Sequence, residues 1–463
     1  MKALGLNPYL PSWEYIPDGE PYVFGDRVYV YGSHDQFNGY VFCMGDYVCY
    51  SAPVDDLGSW RYEGVIYPRN EDPMNRDGKM CLYAPDVTVG PDGRYYLFYV
   101  LDHACVVSVA VCDTPAGRYE FLGYVHYADG TRLGEREGDE PQFDPGVLTE
   151  GDRTYMYTGF AGFRDKSRHG AMVTVLDPDM LTIVEEPRFV VPSVMYEEGT
   201  GYEGHAFFEA SSIRKKGDTY YFIYSSTVMH ELCYATSKSP VEGFRYGGVL
   251  VSNCDLHMGD EPDLPKAYGG NNHGSMVEIG GQWFIFYHRQ TNAHAYSRQG
   301  CAEPITILED GSIPQVEITS CGLNMGPLPG KGEYPAYIAC HLYTPSRTMY
   351  AGEPGAPRVT QDGRDGDEIP GHIACISDGT VIGFKYFDFH DVHQVTLRVR
   401  GYASGCFQVR TSPRGEVLAQ MKLHNTNVWE PYASPIALPE GKQAIYITYT
   451  GDGSPMLASI AFD

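Results

Sequence analysis

Five ionisable residues stand at equivalent places along the chain, each shortly before a glycine-containing turn. Asp18, Asp86 and Asp144 precede their turn glycines by seven residues, and Glu209 and His273 precede theirs by eight. If the fold brings these positions together, four carboxyl groups and one imidazole share a small volume. Such a cluster costs stability, because like charges repel one another and buried charges lose their hydration. A protonated carboxyl beside an ionised one is suited to general acid–base catalysis, so a functional role is the favoured interpretation.

The turns that follow these residues belong to one repeated hairpin. Its copies are marked by Gly25, Gly93, Gly151, Gly217 and Gly281, with spacings of 68, 58, 66 and 64 residues. Each glycine leads into alternating or aromatic-rich residues, as in GDRVYVYGS and GDTYYFIYSS, which is typical of a strand that leaves a turn. A second strand–turn–strand motif follows in several units, so each unit holds about four strands. Five such units predict a five-bladed β-propeller, in which the first strand of each blade lines the central channel.

The remainder of the chain has a different pattern. Short alternating segments such as TVIGFKYFDF and KQAIYITYTG predict a jelly-roll-like β-sandwich over residues 336–463. The Pro- and Gly-rich stretch 326–335 is predicted to be a linker, and residues 1–325 are predicted to form the propeller. The predicted fold class is therefore all-β, a propeller followed by a sandwich.

Four segments in chain order resemble glycoside hydrolase family 43: YIPDGEPYVFGDRVYVYGSHD, FDPGVL, FFEASSIRK and NNHGSMVEIGGQWFIFYHR. Each segment is a weak signal alone, but together, one per blade, they are specific, and the resemblance covers residues 1–325. The region 336–463 resembles the family 6 carbohydrate-binding module, although it ends in MLASIAFD without the asparagine that usually contacts a sugar. The resemblance implies an inverting glycosidase that acts on plant pentose polymers.

The resemblance also implies roles for individual residues. Asp18 matches the general base, Glu209 the general acid, and Asp144 the residue that orients the acid and tunes its pKa. His273 matches a histidine that often holds a central calcium or sodium ion together with water. Arg289 matches an arginine that often points into the sugar pocket. For His273 and Arg289, a structural role is the alternative.

Four further residues are predicted to bind or support the sugar. Asp86 lies where the family has an aspartate outside the catalytic set, and we expect it either to contact the sugar or to support the residues that do. Glu203 and His205 lie just upstream of Glu209, within reach of the same pocket. Trp13 precedes the first blade, where its ring could stack on a sugar face, and packing in the core is the alternative.

The residues themselves support this assignment of acid and base. Inverting hydrolysis needs a protonated carboxyl to donate to the leaving oxygen and an ionised one to activate water, with roughly 6.5–9.5 Å between them. Glu209 in FFEAS has apolar neighbours, which raise the pKa of a carboxyl, whereas Asp18 in PDG lies in a more open turn. The sequence therefore predicts a protonated Glu209 and an ionised Asp18.

Among the activities that the resemblance allows, we expect exo-acting removal of terminal α-L-arabinofuranosyl residues from arabinoxylan or arabinan fragments. The alternatives are a β-D-xylosidase on xylo-oligosaccharides and a galactan- or galactofuranose-cleaving member of the same family. A non-catalytic sugar-binding propeller is a further alternative, but it would be expected to have lost Asp18, Asp144 or Glu209. A retaining fructan hydrolase is disfavoured, because the first blade reads YIPDGEP rather than N-D-P-N-G.

Composition limits the partners. The chain of 463 residues has 60 acidic and 34 basic residues, and its formal net charge of −26 repels nucleic acid and anionic membranes. We therefore expect an oligosaccharide ligand and neither nucleic acid nor a membrane as partner, and the sequence leaves the oligomeric state open. The segment MKALGLNPYLPSWEYIPDG has no apolar run of the length found in signal peptides, so we expect a cytoplasmic protein unless a leader was removed.

Overall fold

The structure is a computed structural model that describes residues 2–347 and 355–463. It confirms the all-β class, with a five-bladed propeller followed by a curled β-sheet domain. In the propeller, each blade is an antiparallel meander whose strands pair in chain order. The predicted hairpin turns lie between the first and second strands, where Gly25, Gly151 and Gly217 have positive φ angles of 64°, 62° and 61°. Glycine adopts this conformation without the steric cost that a side chain would bring.

The strands of the five blades have the following bounds. Blade one has β1 Glu20–Phe24, β2 Arg27–Tyr31, β3 Tyr47–Pro53 and β4 Arg61–Tyr67. Blade two has β5 Asp86–Val89, β6 Tyr95–Tyr99, β7 Ser108–Cys112 and β8 Glu120–Tyr124. Blade three has β9 Gly146–Glu150, β10 Arg153–Thr158, β11 Gly170–Leu176 and β12 Ile183–Pro192. Blade four has β13 Phe207–Lys216, β14 Thr219–Ser226, β15 Glu231–Ser237 and β16 Arg245–Ser252, and blade five has β17 Met276–Ile279, β18 Gln282–Arg289 and β19 Gln299–Ile305.

The fifth blade differs from the prediction of about four strands per unit, because its sheet has three. The N-terminal segment lies along the outer edge of β19 instead. Tyr9 N donates to Gly300 O at 3.1 Å, and the side-chain amide of Asn7 both donates to and accepts from the backbone of Ala302 at 2.9 Å. The start of the chain thus covers the open edge of the last blade and helps to close the ring.

Apolar side chains fill the spaces between neighbouring blades. The interface between blades one and two contains Tyr31, Tyr47 and Tyr99, all buried, and the interface between blades three and four contains Phe207 and Phe222. Aromatic rings dominate these interfaces, in agreement with the aromatic-rich repeats. The packing fixes the blades against one another, so the ends of their innermost strands are held in a defined arrangement.

A ten-stranded sheet forms the C-terminal domain. Its strands are β20 Leu328–Pro329, β21 Gly332–Pro335, β22 His341–Tyr343, β23 Arg358–Thr360, β24 His372–Ala374, β25 Val381–Phe389, β26 Gln394–Arg410, β27 Ala419–Lys422, β28 Thr426–Pro435 and β29 Gly441–Phe462. Among the described residues, three short 3-10 helices cover Pro73–Asn75, Gly322–Asn324 and Ala336–Ile338. None of the helices in the described ranges has the length and apolar character needed to cross a lipid bilayer.

The sequence predicted a linker at 326–335, but in the structure this stretch is not free. It contains β20, which pairs with β25, and β21, which pairs with β29. Leu328 and Tyr334 are buried in the core of the C-terminal domain, so apolar side chains outweigh the Pro and Gly content of this stretch. The domain also contacts the propeller, because Val359 N donates to Thr291 O at 2.9 Å and His341 contacts Asp255 at 2.8 Å.

Candidate active site

A pocket of about 320 Å³ lies where the innermost strands of the propeller converge. Four of the five equivalent residues line it: Asp18, Asp144, Glu209 and His273, from four different blades. The hairpin repeat therefore does bring these side chains together, as the sequence predicted. The fifth equivalent, Asp86, is fully buried and does not line the pocket.

Unusual backbone conformations aim these side chains. Asp18 and Asp144 lie just before β1 and β9 with φ angles of 57° and 44°, in the left-handed region that Asp tolerates better than most residues. Glu209 lies in β13 at a β-bulge, where the pairing with β14 shifts register and Ala210 has a φ of 69°. A bulge re-aims a side chain, and each such conformation costs of order 1–3 kcal/mol, so its place is typically a functional site.

Blade three holds the bulge of blade four in place. A Cβ atom at Gly146 would lie 2.5 Å from Ser211 O, so only glycine allows β9 to approach β13 this closely. Asp144 Oδ2 accepts a hydrogen bond from Ala210 N at 3.0 Å. The acid-bearing strand and Asp144 are thereby fixed side by side.

Asp18 is buried among cationic and polar partners. Its Oδ1 accepts from Arg298 Nη1 at 3.0 Å and lies 3.1 Å from Nδ1 of the buried His288. His288 Nε2 lies 2.7 Å from the carbonyl oxygen of Asn271, so this nitrogen carries a proton. Burial alone would raise the pKa of Asp18, but the charge of Arg298 and the contact with His288 outweigh it and hold that pKa well below its usual range. Asp18 is therefore ionised at neutral pH.

The pKa values of Glu209 and Asp144 are shifted upwards, opposite to that of Asp18. Burial, with the charge of Asp18, raises the pKa of Glu209 to about 7. Burial and the charge of Glu209 also raise the pKa of Asp144. The hydrogen bond from Ala210 N favours the ionised form of Asp144, whereas no group in the described ranges hydrogen-bonds to the Glu209 carboxyl. We therefore place the proton that this pair holds on Glu209.

The arginine of the pocket is Arg298, not the predicted Arg289. Arg298 lines the pocket, and Asp35 fixes it through contacts of 2.8 Å to Nε and 3.0 Å to Nη2. Arg289 is buried on the side of blade five that faces the C-terminal domain, where its Nη2 donates to Cys340 O at 2.7 Å. Sequence reasoning missed Arg298 because it follows a loop after β18, and the path of that loop is not encoded in the hairpin repeat.

Asp86 is buried and does not line the pocket, so of its two predicted roles the sugar contact is wrong and the supporting role agrees with the structure. Its Oδ1 accepts from Tyr22 Oη and its Oδ2 from Val147 N, both at 2.7 Å. Arg214 packs over the Tyr22 ring and donates to Glu20 Oε2 at 2.6 Å. The role of Asp86 in this structure is to connect the innermost strands of blades one, two and three.

The other three predicted sugar contacts also lie outside the pocket lining. Glu203 is exposed and accepts from Thr200 N at 3.0 Å within its own loop. The ring of His205 stacks on Tyr246, and its Nδ1 lies 2.7 Å from Glu231 Oε1. Trp13 is half-buried. Nearness in sequence to a catalytic residue was a poor guide, because a strand turns away from the site within a few residues.

Few potential metal ligands surround His273, which was predicted to hold a cation. Burial lowers the pKa of His273 to about 4, so its ring is neutral. Its Nδ1 lies 3.9 Å from Asp18 and 3.7 Å from Asp144, and its Nε2 lies 4.0 Å from Glu20 Oε1, a buried atom without a hydrogen-bond partner. Calcium prefers six to eight oxygen ligands, and these donors do not converge on one point. The residues therefore do not fit a directly bound cation, and calcium or sodium with water at His273 stays a prediction.

A tighter group of potential ligands occurs elsewhere in blade four. His205, Glu231 and Cys233 are the one set in the described part of the chain whose ligand atoms all lie within 4.8 Å of one another. They contact one another directly, with Cys233 Sγ donating to Glu231 Oε1 at 3.3 Å, and burial raises the pKa of the Cys233 thiol. Hydrogen bonds explain this cluster without an ion.

Aromatic rings form much of the pocket wall. They are Phe42, Tyr83, Phe143, Phe160 and Phe208. Two of them directly precede catalytic candidates, Phe143 before Asp144 and Phe208 before Glu209, and this adjacency was a signal available in the sequence. Phe42 comes from the loop between β2 and β3, where it packs against the guanidinium of Arg298 at 4.7 Å. An apolar wall around the carboxyl groups suits a sugar ring, whose faces carry C–H groups.

Comparison with known proteins agrees with this site. The model of glycosyl hydrolases family 43 matches residues 16–313. A xylosidase/arabinosidase from Thermoclostridium stercorarium is 65% identical over 467 residues, which cover 99% of both chains.

Two solved structures share the fold. An arabinoxylan arabinofuranohydrolase of family 43 from Bacillus subtilis, in complex with cellotetraose, has a TM-score of 0.54 at 20% identity, with 98% of this chain and 97% of that chain covered. A family 43 β-xylosidase/α-arabinofuranosidase from a compost microbial metagenome, in complex with xylotriose, has a TM-score of 0.53 at 25% identity, with 68% and 98% covered. The family model spans well over half of the chain and the segments that supply Asp18, Asp144, Glu209 and His273, so this protein belongs to glycoside hydrolase family 43.

Proposed function

We propose that this hydrolase is an inverting, exo-acting enzyme that releases terminal pentosyl residues from short hemicellulose-derived oligosaccharides. The proposal includes both α-L-arabinofuranosyl residues, the first expectation from the sequence, and β-D-xylosyl residues, the alternative. The name of the relative at 65% identity includes both activities, which supports neither sugar over the other. The observation that carries the proposal is one small pocket lined by both Asp18, which Arg298 contacts and whose pKa is held low, and Glu209, whose pKa burial raises.

Asp18 acts as the general base. Its carboxylate stays ionised beside Arg298, so it can accept a proton from a water molecule as that water attacks the anomeric carbon. Direct attack from the face opposite the leaving group inverts the configuration at that carbon. Because Arg298 and His288 both contact Asp18, its carboxylate is held in one orientation before substrate binds.

Glu209 acts as the general acid. Its proton passes to the glycosidic oxygen as the bond to the anomeric carbon breaks, and a pKa raised to about 7 keeps the acid largely protonated below neutral pH. Asp144 contributes first through position, since its Oδ2 accepts the hydrogen bond from Ala210 N that fixes the bulge. Burial and the charge of Glu209 also raise the pKa of Asp144, so the two carboxyl groups do not both ionise readily and the pair retains a proton.

The shape of the site supports exo action. The pocket is small, about 320 Å³, and the aromatic rings and Arg298 bound it on several sides. A pocket of this kind accepts the end of a chain, whereas an endo-acting enzyme needs an open cleft that a polymer can cross. We therefore infer that one terminal pentose enters and the remainder of the oligosaccharide extends out.

Proton NMR of the released sugar tests the proposal. Wild type and Glu209→Ala are assayed on paired phenyl glycosides, the α-L-arabinofuranoside and the β-D-xylopyranoside, because an unsubstituted phenoxide is a poor leaving group that needs a proton. Release of the inverted anomer by wild type, with loss of activity in the variant, supports the three-carboxylate mechanism, and the rates on the two glycosides rank the sugars. Retained configuration contradicts the inverting mechanism. No turnover of either glycoside contradicts the pentosidase assignment and favours a galactose-type substrate.

A further inference from the structure

A chain of aromatic rings leads from the pocket to the protein surface. Successive ring centroids are 5.3 Å apart for Tyr83 and Phe143, 5.4 Å for Phe143 and Phe160, and 5.2 Å for Phe160 and Phe208. Phe163 continues the chain outside the pocket, stacked on Phe208 at 5.2 Å with an interplanar angle of 23°. Phe160 is 37% exposed and Phe163 is 51% exposed. Exposed aromatic rings that continue a buried wall indicate a binding surface.

The loop that carries the outer rings is tied to the strand that carries the general acid. Phe160 and Phe163 lie in the connection between β10 and β11, and Ala161 N donates to Phe208 O at 2.8 Å. Phe208 directly precedes Glu209 in β13. The exposed rings are therefore held at a fixed distance from the Glu209 carboxyl rather than on an independent segment.

This placement identifies the side of the substrate that the rings would face, an argument that rests on the proposed function. Glu209 donates its proton to the glycosidic oxygen, so the departing part of the substrate lies on the Glu209 side of the scissile bond. Asp18, with Arg298, lies on the side from which water attacks. A sugar unit that leaves the pocket past Glu209 passes over Phe208 and the outer rings.

We propose that Phe163, supported from beneath by Phe208, is the platform on which the first sugar unit of the leaving group stacks. Pyranose rings present C–H groups on their faces, which pack well against an aromatic face, and their hydroxyl groups stay in water at the rim. The occupant is the xylosyl unit attached through the scissile bond. Phe163 is thus a specificity-determining residue that favours oligosaccharides over substrates with a small leaving group.

The experiment compares Phe163→Ala with wild type on two substrates of the same terminal sugar, xylobiose and β-D-xylopyranosyl fluoride. Xylobiose has a sugar to stack, and fluoride does not. We expect kcat/KM on xylobiose to fall about 3- to 10-fold, mainly through KM, while the value on the fluoride stays within about 2-fold. Phe163→Tyr keeps an aromatic face and is expected to restore the wild-type ratio of the two values.

A matched control is Phe189→Ala. Phe189 lies in β12 of the same blade, is 52% exposed and packs against His169, not against the pocket rings. It should leave both substrates unaffected, and thermal melts of all variants establish that they are folded.

The following outcomes overturn the proposal. Equal changes on the two substrates, or no change on xylobiose, contradict a leaving-group platform even though wild type is active. In another such outcome, Phe163→Ala elutes from size-exclusion chromatography at a lower apparent mass than wild type, with an unchanged ratio of kcat/KM on the two substrates. That result assigns the rings to contact with a second copy of the chain. If wild type hydrolyses neither xylobiose nor the fluoride but does hydrolyse the aryl arabinofuranoside, the pentosidase assignment stands, and the same comparison is made with an arabinofuranosyl-substituted xylo-oligosaccharide and α-L-arabinofuranosyl fluoride. Equal changes of kcat/KM on that pair in Phe163→Ala overturn the platform.

Discussion

Arg298 links two carboxylates of blade one, because its Nη1 donates to Asp18 at 3.0 Å while its Nε and Nη2 are held by Asp35 at 2.8 and 3.0 Å. Asp35 also accepts from Cys43 N, in the loop that carries Phe42 to the pocket wall. The guanidinium is therefore oriented before any substrate arrives. A residue from blade five thus sets both the charge state of Asp18 and the position of the wall beside it.

Replacing Arg298 with Lys should lower kcat/KM by about 100-fold or more. Lysine keeps a positive charge, but it lacks the planar fork that contacts Asp18 and Asp35 at once. The variant should also lose activity at acid pH, where wild type does not. The pKa of Asp18 rises when its closest cation moves, so Asp18 becomes protonated there and cannot act as the base. Steady-state kinetics between about pH 4 and 8 measures both effects.

Arg289→Lys is the matched control for that experiment. It makes the same chemical change nine residues upstream in the chain, at a site that faces the C-terminal domain. We expect its kcat/KM and its pH profile to match wild type below the melting temperature. If Arg289→Lys damages catalysis more than Arg298→Lys, the placement of the pocket arginine is wrong.

The pH dependence of wild type should have one limb in the neutral range. Glu209 must be protonated to act, and its pKa is raised to about 7, so kcat/KM should fall about tenfold per pH unit above that value. Asp18 must be ionised, and its pKa is held below the ordinary value of about 3.9, so activity should persist to about pH 5. Initial rates across the range give the profile, and reassay at neutral pH after incubation separates titration from unfolding. An acid limb near pH 6 without an alkaline one would reverse the assignment of acid and base.

Glu209→Gln should lower kcat/KM on xylobiose by about 10²- to 10⁴-fold, because the sugar leaving group needs a proton. A dinitrophenyl xyloside should lose much less, since its leaving group departs as a stable anion. The difference between the losses of kcat/KM on the two substrates measures the contribution of proton donation separately from that of binding. Glu203→Gln is the control, since Glu203 is exposed and bonded within its own loop. Equal losses on both substrates would mean that Glu209 does not act as the acid.

The parts of this site that follow from sequence are those fixed by the hairpin register. Asp18, Asp144, Glu209 and His273 could be found because each lies at a set distance from a turn, and the fold places equivalent strands around one axis. At Asp86 the register left a supporting role and a sugar contact open, and the equivalent position is buried outside the pocket lining.

Residues contributed by long loops could not be found in this way. Arg298 and Phe42 reach the pocket from connections whose course depends on packing against other blades. Arg289 and Arg298 are nine residues apart in sequence. Arg298 nevertheless lines the pocket, whereas Arg289 faces the neighbouring domain. Local pattern specifies the strands, and tertiary contacts decide which loop residues meet.

The contacts made by Arg289 should contribute to the stability of the protein. Its guanidinium is buried and donates to the carbonyl oxygens of Ala339 and Cys340, at the start of the C-terminal domain. Arg289→Leu removes these donors and leaves the two carbonyl groups without them, which should cost about 2–3 kcal/mol of unfolding free energy. Catalysis should persist at low temperature, because the pocket carboxyls make no contact with Arg289.

Calorimetry and residual activity after heating measure this effect together. A single melting transition that moves to lower temperature, with activity lost in parallel, would mean that the docked domain stabilises the propeller itself. Two separate transitions, with activity following the upper one, would mean that the contact holds the domains together without supporting the site. Arg61→Leu is the control, because Arg61 is exposed and its ion pair with Glu63 lies on the outer strand of blade one, where solvent screens a surface pair and its contribution to stability is small. An Arg289→Leu protein as stable as Arg61→Leu would contradict a structural role for this arginine.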